Sequence, residues 1–386
     1  MARRPILLGA GVLAVVMTGC ASPSAEKPPD TKPADAVPAP AAKPLIAGLV
    51  DKGRERPYHA GQPFPPVDLS DVAPYGSAFT AVVINASWDQ LQPEPGALDT
   101  SVVDQSIAEI TTYNAQHPAD SLALKLRVFA GFAAPAWAKR LDGPPVTIDQ
   151  PTGAGTLGRW WDPKYRAAWA DLQQQLAARY DGNPLLLEVA VSSCATLTAE
   201  PMIMPAGPAA AQQLLAAGWT NRAETDCLNG AFDDYAVWHR TAIDFAFNPF
   251  TTISPSGQRG VSTTVTDMLM TRCAESAAAG GPRCVLDNHG LSPDAATTAR
   301  SAPVYAQIDA LWNTHPTSTW VTFQTDGPAT DICGSLSVAV AHHAPSVELW
   351  PPSAALPGFA AESSAALESW SHDLVAGQPP TCPSGP

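Results

Sequence analysis

From Leu45 onward, short and nearly continuous apolar runs alternate with longer stretches in which apolar residues recur every three or four positions. A strand covered on both faces needs the first pattern, and a helix with one covered face needs the second. Eight runs predict strands: Leu45–Val50, Ala81–Asn85, Ala123–Phe129, Leu186–Ser193, Ile243–Phe247, Cys284–Asn288, Trp320–Gln324 and Val347–Trp350. The helical period predicts helices over Val102–His117, Pro163–Tyr180, Ala209–Ala216 with Asp226–Trp238, Val265–Ala279, Pro303–Thr314, Ile332–His343 and Ala360–Val375. This alternation predicts an α/β fold, a (β/α)8 TIM barrel with enlarged loops that takes up residues 45–386 as one domain. A doubly wound open sheet is the alternative, but no Gly-rich phosphate turn follows the first strand.

Composition narrows the partners. The chain has 386 residues, 45% of them hydrophobic, which is ample for a core, and a net charge of −14, which repels nucleic acid and anionic lipid. Forty prolines and 27 glycines exclude long coiled coils and favour many short elements joined by irregular loops.

Residues 1–20 have the layout of a signal peptide: Arg3 and Arg4, the apolar run Ile6–Val16, then Met17-Thr18-Gly19-Cys20. The small pair before Cys20 resembles the bacterial lipobox, which implies a lipid thioether on Cys20 and an exported protein anchored at the outer face of the cell membrane. The apolar run is shorter than the roughly 20 residues a bilayer-spanning helix needs. Residues 21–44, rich in Pro, Ala, Ser and Lys, carry too little apolar surface to offset their ordering entropy, and they predict an extended tether.

Six further cysteines, an even count in an exported chain, predict three disulfides. The pairing Cys194–Cys227, Cys273–Cys284 and Cys333–Cys382 closes each loop within one stretch of the fold. Neither C-x-x-C nor a clustered Cys and His spacing occurs, which argues against a metal site.

In a parallel barrel, chemistry belongs at the C-terminal ends of the strands. Asn85, Trp88 and Asp89 follow the second predicted strand, and Trp137 follows the third, which contains Arg127. Thr196–Pro201 follow the fourth, Asn248 the fifth, Asn288 and His289 the sixth, and Gln324 and Asp326 the seventh; Glu348 and Trp350 belong to the eighth. Eleven Trp, several beside Asn, Gln and Asp at these positions, suit sugar rings, whose apolar faces stack on indole while neighbouring polar groups meet the hydroxyls.

Asn85-Ala86-Ser87-Trp88-Asp89-Gln90-Leu91-Gln92-Pro93-Glu94-Pro95-Gly96 resembles the second-strand segment of clan A glycoside hydrolases. Leu126-Arg127-Val128-Phe129 with Pro135-Ala136-Trp137 is similar to their third strand, whose Arg supports a catalytic carboxylate, and Ala199-Glu200-Pro201 to their Asn-Glu-Pro, whose Glu is the general acid/base. The resemblance covers most of residues 45–350 and implies action on, or binding of, a carbohydrate. Two positions depart from it. Ala199 replaces the Asn, and Gln324 stands where the family has its nucleophilic Glu; an amide cannot carry a glycosyl intermediate or take a proton from water.

Two readings follow. In the first the protein is a glycosidase: Glu200 donates the proton and Glu348, or else Asp326, is the base. Arg127, Asn288 and Gln324 then hold geometry, with Asp89 also a substrate contact, and Trp88, Trp137 and Trp350 form the platform. Strands four and eight face one another across a barrel, so a Glu200–Glu348 pair would be wide, which implies inversion through water or no catalysis. In the second, the barrel binds carbohydrate without turnover. Structural roles compete at each position: Glu348 as a buried partner of Arg127, Glu200 as a loop acid paired with an Arg, Trp88 and Trp137 as packing, His289 as scaffold, and Glu188 as an interior salt-bridge partner. A serine hydrolase lacks its G-x-S-x-G elbow and phosphoryl transfer lacks its P-loop, so no cofactor is expected.

Overall fold

The computed structural model describes residues 41–53, 62–150, 153–205, 207–353 and 355–383. The signal peptide, Cys20 and the tether as far as residue 40 lie outside the described residues.

Eight parallel strands pair in sequence order: β1 (Gly48–Asp51), β2 (Phe79–Ser87), β3 (Ala123–Phe129), β4 (Leu186–Ala190), β5 (Ala242–Ala246), β6 (Cys284–Leu291), β7 (Trp320–Thr325) and β8 (Ser346–Leu349). Pairing of β8 back onto β1, Gly48 with Ser346 through Asp51 with Leu349, closes the barrel and excludes the open sheet. All eight fall on the predicted runs. They read as continuous apolar segments because helices cover their outer side while their inner side faces the barrel axis.

The outer layer holds α1 (Ser101–Gln116), α2 (Pro163–Tyr180), α3 (Pro208–Ala216), α4 (Asn221–Asp234), α5 (Thr263–Glu275), α6 (Ala295–Thr314), α7 (Ile332–Ala341) and α8 (Ser364–Val375). Side chains of Thr220, Ser262, Asp294, Asp331 and Ser363 cap five of these by accepting a backbone N–H from the first turn. Caps account for two shifted boundaries. The Thr220 cap starts α4 at Asn221 rather than Asp226, and the Asp294 cap starts α6 eight residues before Pro303, which lies inside the helix. Two antiparallel hairpins were not predicted, Val146–Gln150 with Gly153–Leu157 after β3, and Phe250–Ile253 with Arg259–Ser262 after β5. Their strands are too short for period-2 alternation to stand out.

The three disulfides pair as expected, with Cα separations of 6.0, 5.2 and 5.5 Å. Cys194–Cys227 ties the loop after β4 to α4, Cys273–Cys284 ties α5 to β6, and Cys333–Cys382 ties α7 to the C-terminal segment.

The entering chain plugs the N-terminal end of the barrel. Lys43 Nζ donates to the Leu186 carbonyl and to Thr241 Oγ1, each at 2.7 Å, and the Ile46 N–H donates to Glu188 Oε1 at 3.1 Å. Partial burial brings the Lys43 amine down to about 8, although the nearby Asp181 charge acts the other way. Ile46 packs with Val50, Ala81, Val83 and Leu187 in a small apolar cluster.

Candidate functional site

Strand period places Lys125 and Arg127 on one face of β3, and their contacts across to β8 show that this face looks inward. Lys125, 1% exposed, is the hub of the interior. Its ammonium contacts Glu348 Oε1, lies 2.9 Å from Asp244 Oδ2 and 3.8 Å from Asp287 Oδ2. Arg127 Nη2 donates to the other oxygen of Glu348 at 2.6 Å. Burial alone would raise the Glu348 carboxyl, but Arg127 and Lys125 hold it well below the ordinary carboxylate range. Burial would likewise lower Lys125, yet Asp244, Glu348 and Asp287 keep it above its usual value. Asp244 is pushed well up by burial and by the Asp287 charge. Burial lifts Glu188 to about 7, against the pull of Lys125.

A second assembly lies above the first. His289 is gripped by two carboxylates, Nε2 at 2.7 Å from Asp287 Oδ2 and Nδ1 at 3.3 Å from Glu200 Oε1. Asn248 Nδ2 donates to Glu200 Oε2 at 2.9 Å. Burial would discharge both members of the Glu200–His289 pair. Their mutual charges, with Asp287 beside the imidazole and Asn248 on the carboxylate, reverse this: Glu200 falls to about 2 and His289 rises to about 10. At neutral pH Glu200 is therefore a carboxylate and His289 an imidazolium. Such a Glu accepts hydrogen bonds and carries no proton to donate.

The sequence-derived positions fare differently. Glu200 is not at a strand end: β4 stops at Ala190, its exit carries Ser192 and Ser193, and Glu200 comes ten residues later in the loop. Its side chain is 18% exposed, against 1% for Glu348, which is enclosed by its two cations. Asp326 belongs elsewhere, paired with Arg300 at 3.1 Å on a cleft of about 360 Å³ shared with Asp294 and Asp331. Trp88 is fully buried, its indole N–H bonded to Gln92 Oε1 at 3.0 Å and its ring edge-on to Trp137, Tyr165 and Trp169. It offers no face to a sugar. Half-buried Trp137 spends its N–H on the Gln92 carbonyl. Asn288 is used at both ends, donating to the Phe247 carbonyl at 2.7 Å and accepting from the Gly290 N–H at 3.0 Å, so it staples the exits of β5 and β6. Asp89, partly exposed, accepts from Ser87 Oγ.

Two positions keep unspent polar atoms. Gln324 is 3% exposed and its Oε1 has no hydrogen-bond partner among the described residues; the buried Nε1 of Trp350 has none among them either. Gln324 pairs with Glu348 between β7 and β8, and Trp350 directly follows β8, so an acceptor and a donor stand at adjacent strand ends. The Lys52 ammonium lies 3.4 Å from the Trp350 ring centroid, over its face.

Lys125, Asp244, Asp287 and Lys52 had not been singled out. A signal existed for the first three, since Asp244 and Asp287 are each a lone charge within an apolar strand run, as Glu188 and Glu348 are, and Lys125 shares its apolar run only with Arg127.

No family model matches the chain, and no curated protein is similar to it in sequence. Among solved structures it is similar to endo-glycoceramidase II from Rhodococcus sp., with 17% identity, 81% of this chain and 76% of that one covered, and a TM-score of 0.46. It is also similar to a glycoside hydrolase (11% identity, 80% and 89% covered, TM-score 0.43) and to an endogalactoceramidase (14%, 80% and 70%, TM-score 0.42).

Proposed function

We propose that this barrel binds a carbohydrate at its C-terminal mouth without turning it over, and that lipid on Cys20 holds it at the outer face of the bacterial cell membrane. One observation carries the reading: at the adjacent ends of β7 and β8, where hydrolysis needs a free carboxylate, Gln324 Oε1 and Trp350 Nε1 are buried without partners among the described residues. A sugar hydroxyl both donates and accepts, so a pair of vicinal hydroxyls answers an unpaired acceptor beside an unpaired donor. The two-carboxylate route is poorly served by the same residues. Glu348 is neutralised by Lys125 and Arg127, Asp326 is engaged by Arg300, and Glu200 is held ionised by His289.

The test pairs calorimetric titration of soluble envelope oligosaccharides with an assay for new reducing ends. Saturable binding without reducing ends is expected, and Gln324→Ala should weaken it about tenfold through loss of one buried hydrogen bond. Reducing-end release that disappears in Glu200→Gln would instead establish hydrolysis, and neither binding nor release would leave an envelope scaffold. For the anchor, a lipid label incorporated by the wild type and lost in Cys20→Ala is expected.

A further inference from the structure

Four residues past the end of β4 the chain turns at Cys194, a non-glycine residue at φ +58° whose sulfur is bonded to Cys227 of α4. Behind this turn, between the barrel and α2, a cavity of about 10 Å³ is lined by Ala130, Tyr165, Arg166, Trp169, Ser193 and Asp234, among others. Four of these residues carry a buried polar atom with no hydrogen-bond partner of good geometry among the described residues, Tyr165 Oη, Arg166 Nε, Trp169 Nε1 and Ser193 Oγ, although the Trp169 indole also interacts with the Tyr235 hydroxyl. The residues differ in origin. Three come from two turns of α2, while Ser193 comes from the strand exit.

We propose that this cavity is a binding site for a single internal water molecule, held by Tyr165, Arg166, Trp169 and Ser193. The donor count fits one water and little else. Arg166 Nε–H and Trp169 Nε1–H are donors only, and together they fill the two lone pairs of one oxygen. The hydroxyls of Ser193 and Tyr165 can accept, and together they take its two protons. About 10 Å³ is close to the roughly 10–15 Å³ that one buried water needs, and too small for any organic ligand. The alternative to this solvent is four desolvated polar atoms left unpaired around one cavity, each of them unfavourable. Asp234 lines the cavity too, but among the described residues it forms no ion pair with Arg166 within 4.0 Å.

The site has a consequence for the mouth. Ser193 is the last residue before the Cys194 turn, and the loop from that turn carries Glu200 to His289 and Asn248. The water thus cross-links α2 to the base of the loop that positions the partly buried Glu200 carboxylate.

Two measurements test this on the full exported chain. A high-resolution crystal structure should show a solvent peak within hydrogen-bond distance of at least three of the four atoms. Water-oxygen magnetic relaxation dispersion should count one fewer long-lived water in Ser193→Val, whose methyl groups occupy the space, than in the wild type. A cavity without solvent density, with Ser193 Oγ and Tyr165 Oη bonded to protein groups instead, would overturn the assignment, as would equal counts in the two proteins. Should Ser193→Val fail to fold, the crystal structure of the wild type decides alone.

Discussion

Lys125→Met is expected to lower the unfolding free energy by about 3–5 kcal/mol, the cost of leaving buried charges without their counterion. Lys125 contacts three interior carboxylates, those of Glu348, Asp244 and Asp287. Met reproduces the length and apolar stem, so the loss isolates the ammonium from the packing of the chain that carries it. Arg127 still holds one oxygen of Glu348 in the variant, which places the damage chiefly on the Asp244 and Asp287 side. Urea denaturation of both proteins at pH 7 measures the difference. The exposed Arg179–Asp104 pair, 2.7 Å apart on the surface, provides the contrast, because Arg179→Ala should leave the midpoint nearly where it was. If the two substitutions shifted the midpoint alike, the interior network would not be a stability determinant. Neutralising Glu348 alone should not rescue the variant, since two carboxylates remain unpaired around the vacated position.

The interior network also marks the limit of what could be read in advance. Strand order and the eight runs were legible because a strand covered on both faces has to be apolar along its length, and few other elements of this chain are. Disulfide partners were legible because short loops close locally. For Glu200 the sequence places Thr196–Pro201 after the fourth strand, but the Cys194 turn and the loop that carry it ten residues past the end of β4 are set by the fold. Trp88 misled for a physical reason. An indole with one polar edge suits a sugar platform and a core equally, and only the tertiary neighbours Tyr165 and Trp169, remote in sequence, decide for the core. The pairing of Asp287 with His289 is local, yet its partner Glu200 comes from a different loop, so the charge state of the trio is a property of the fold alone.

The second large effect concerns pH. Glu224, 1% exposed on α4, accepts the indole N–H groups of Trp160 and Trp219 on one oxygen, each at 2.8 Å, while its other oxygen has no hydrogen-bond partner among the described residues. Burial pushes its carboxyl from 4.5 up to about 7, against the two indole bonds, which favour the ionised form. The unfolded chain releases this proton near 4.5, but the folded chain keeps it to about 7. Between those values the folded state binds more protons than the unfolded state, so stability falls as pH rises. The contribution is whole below 4.5 and is lost by the time pH has passed about 7, a loss of about 3 kcal/mol at roughly 1.4 kcal/mol per pH unit. Glu224→Gln keeps an oxygen for both indoles and has no proton to lose, so its stability should depend less on pH across this window. Other interior acids, Glu188 foremost, titrate in the same range and slope the same way, which makes the comparison of variant with wild type the informative quantity. Urea midpoints at pH 4.5 and pH 8 should therefore draw apart in the wild type by more than in Glu224→Gln. Tryptophan emission gives an independent reading, because ionisation at Glu224 places a charge against two indoles. Equal pH dependence in the two proteins would mean that Glu224 ionises in the folded state as it does in the unfolded chain, with its second oxygen satisfied by solvent.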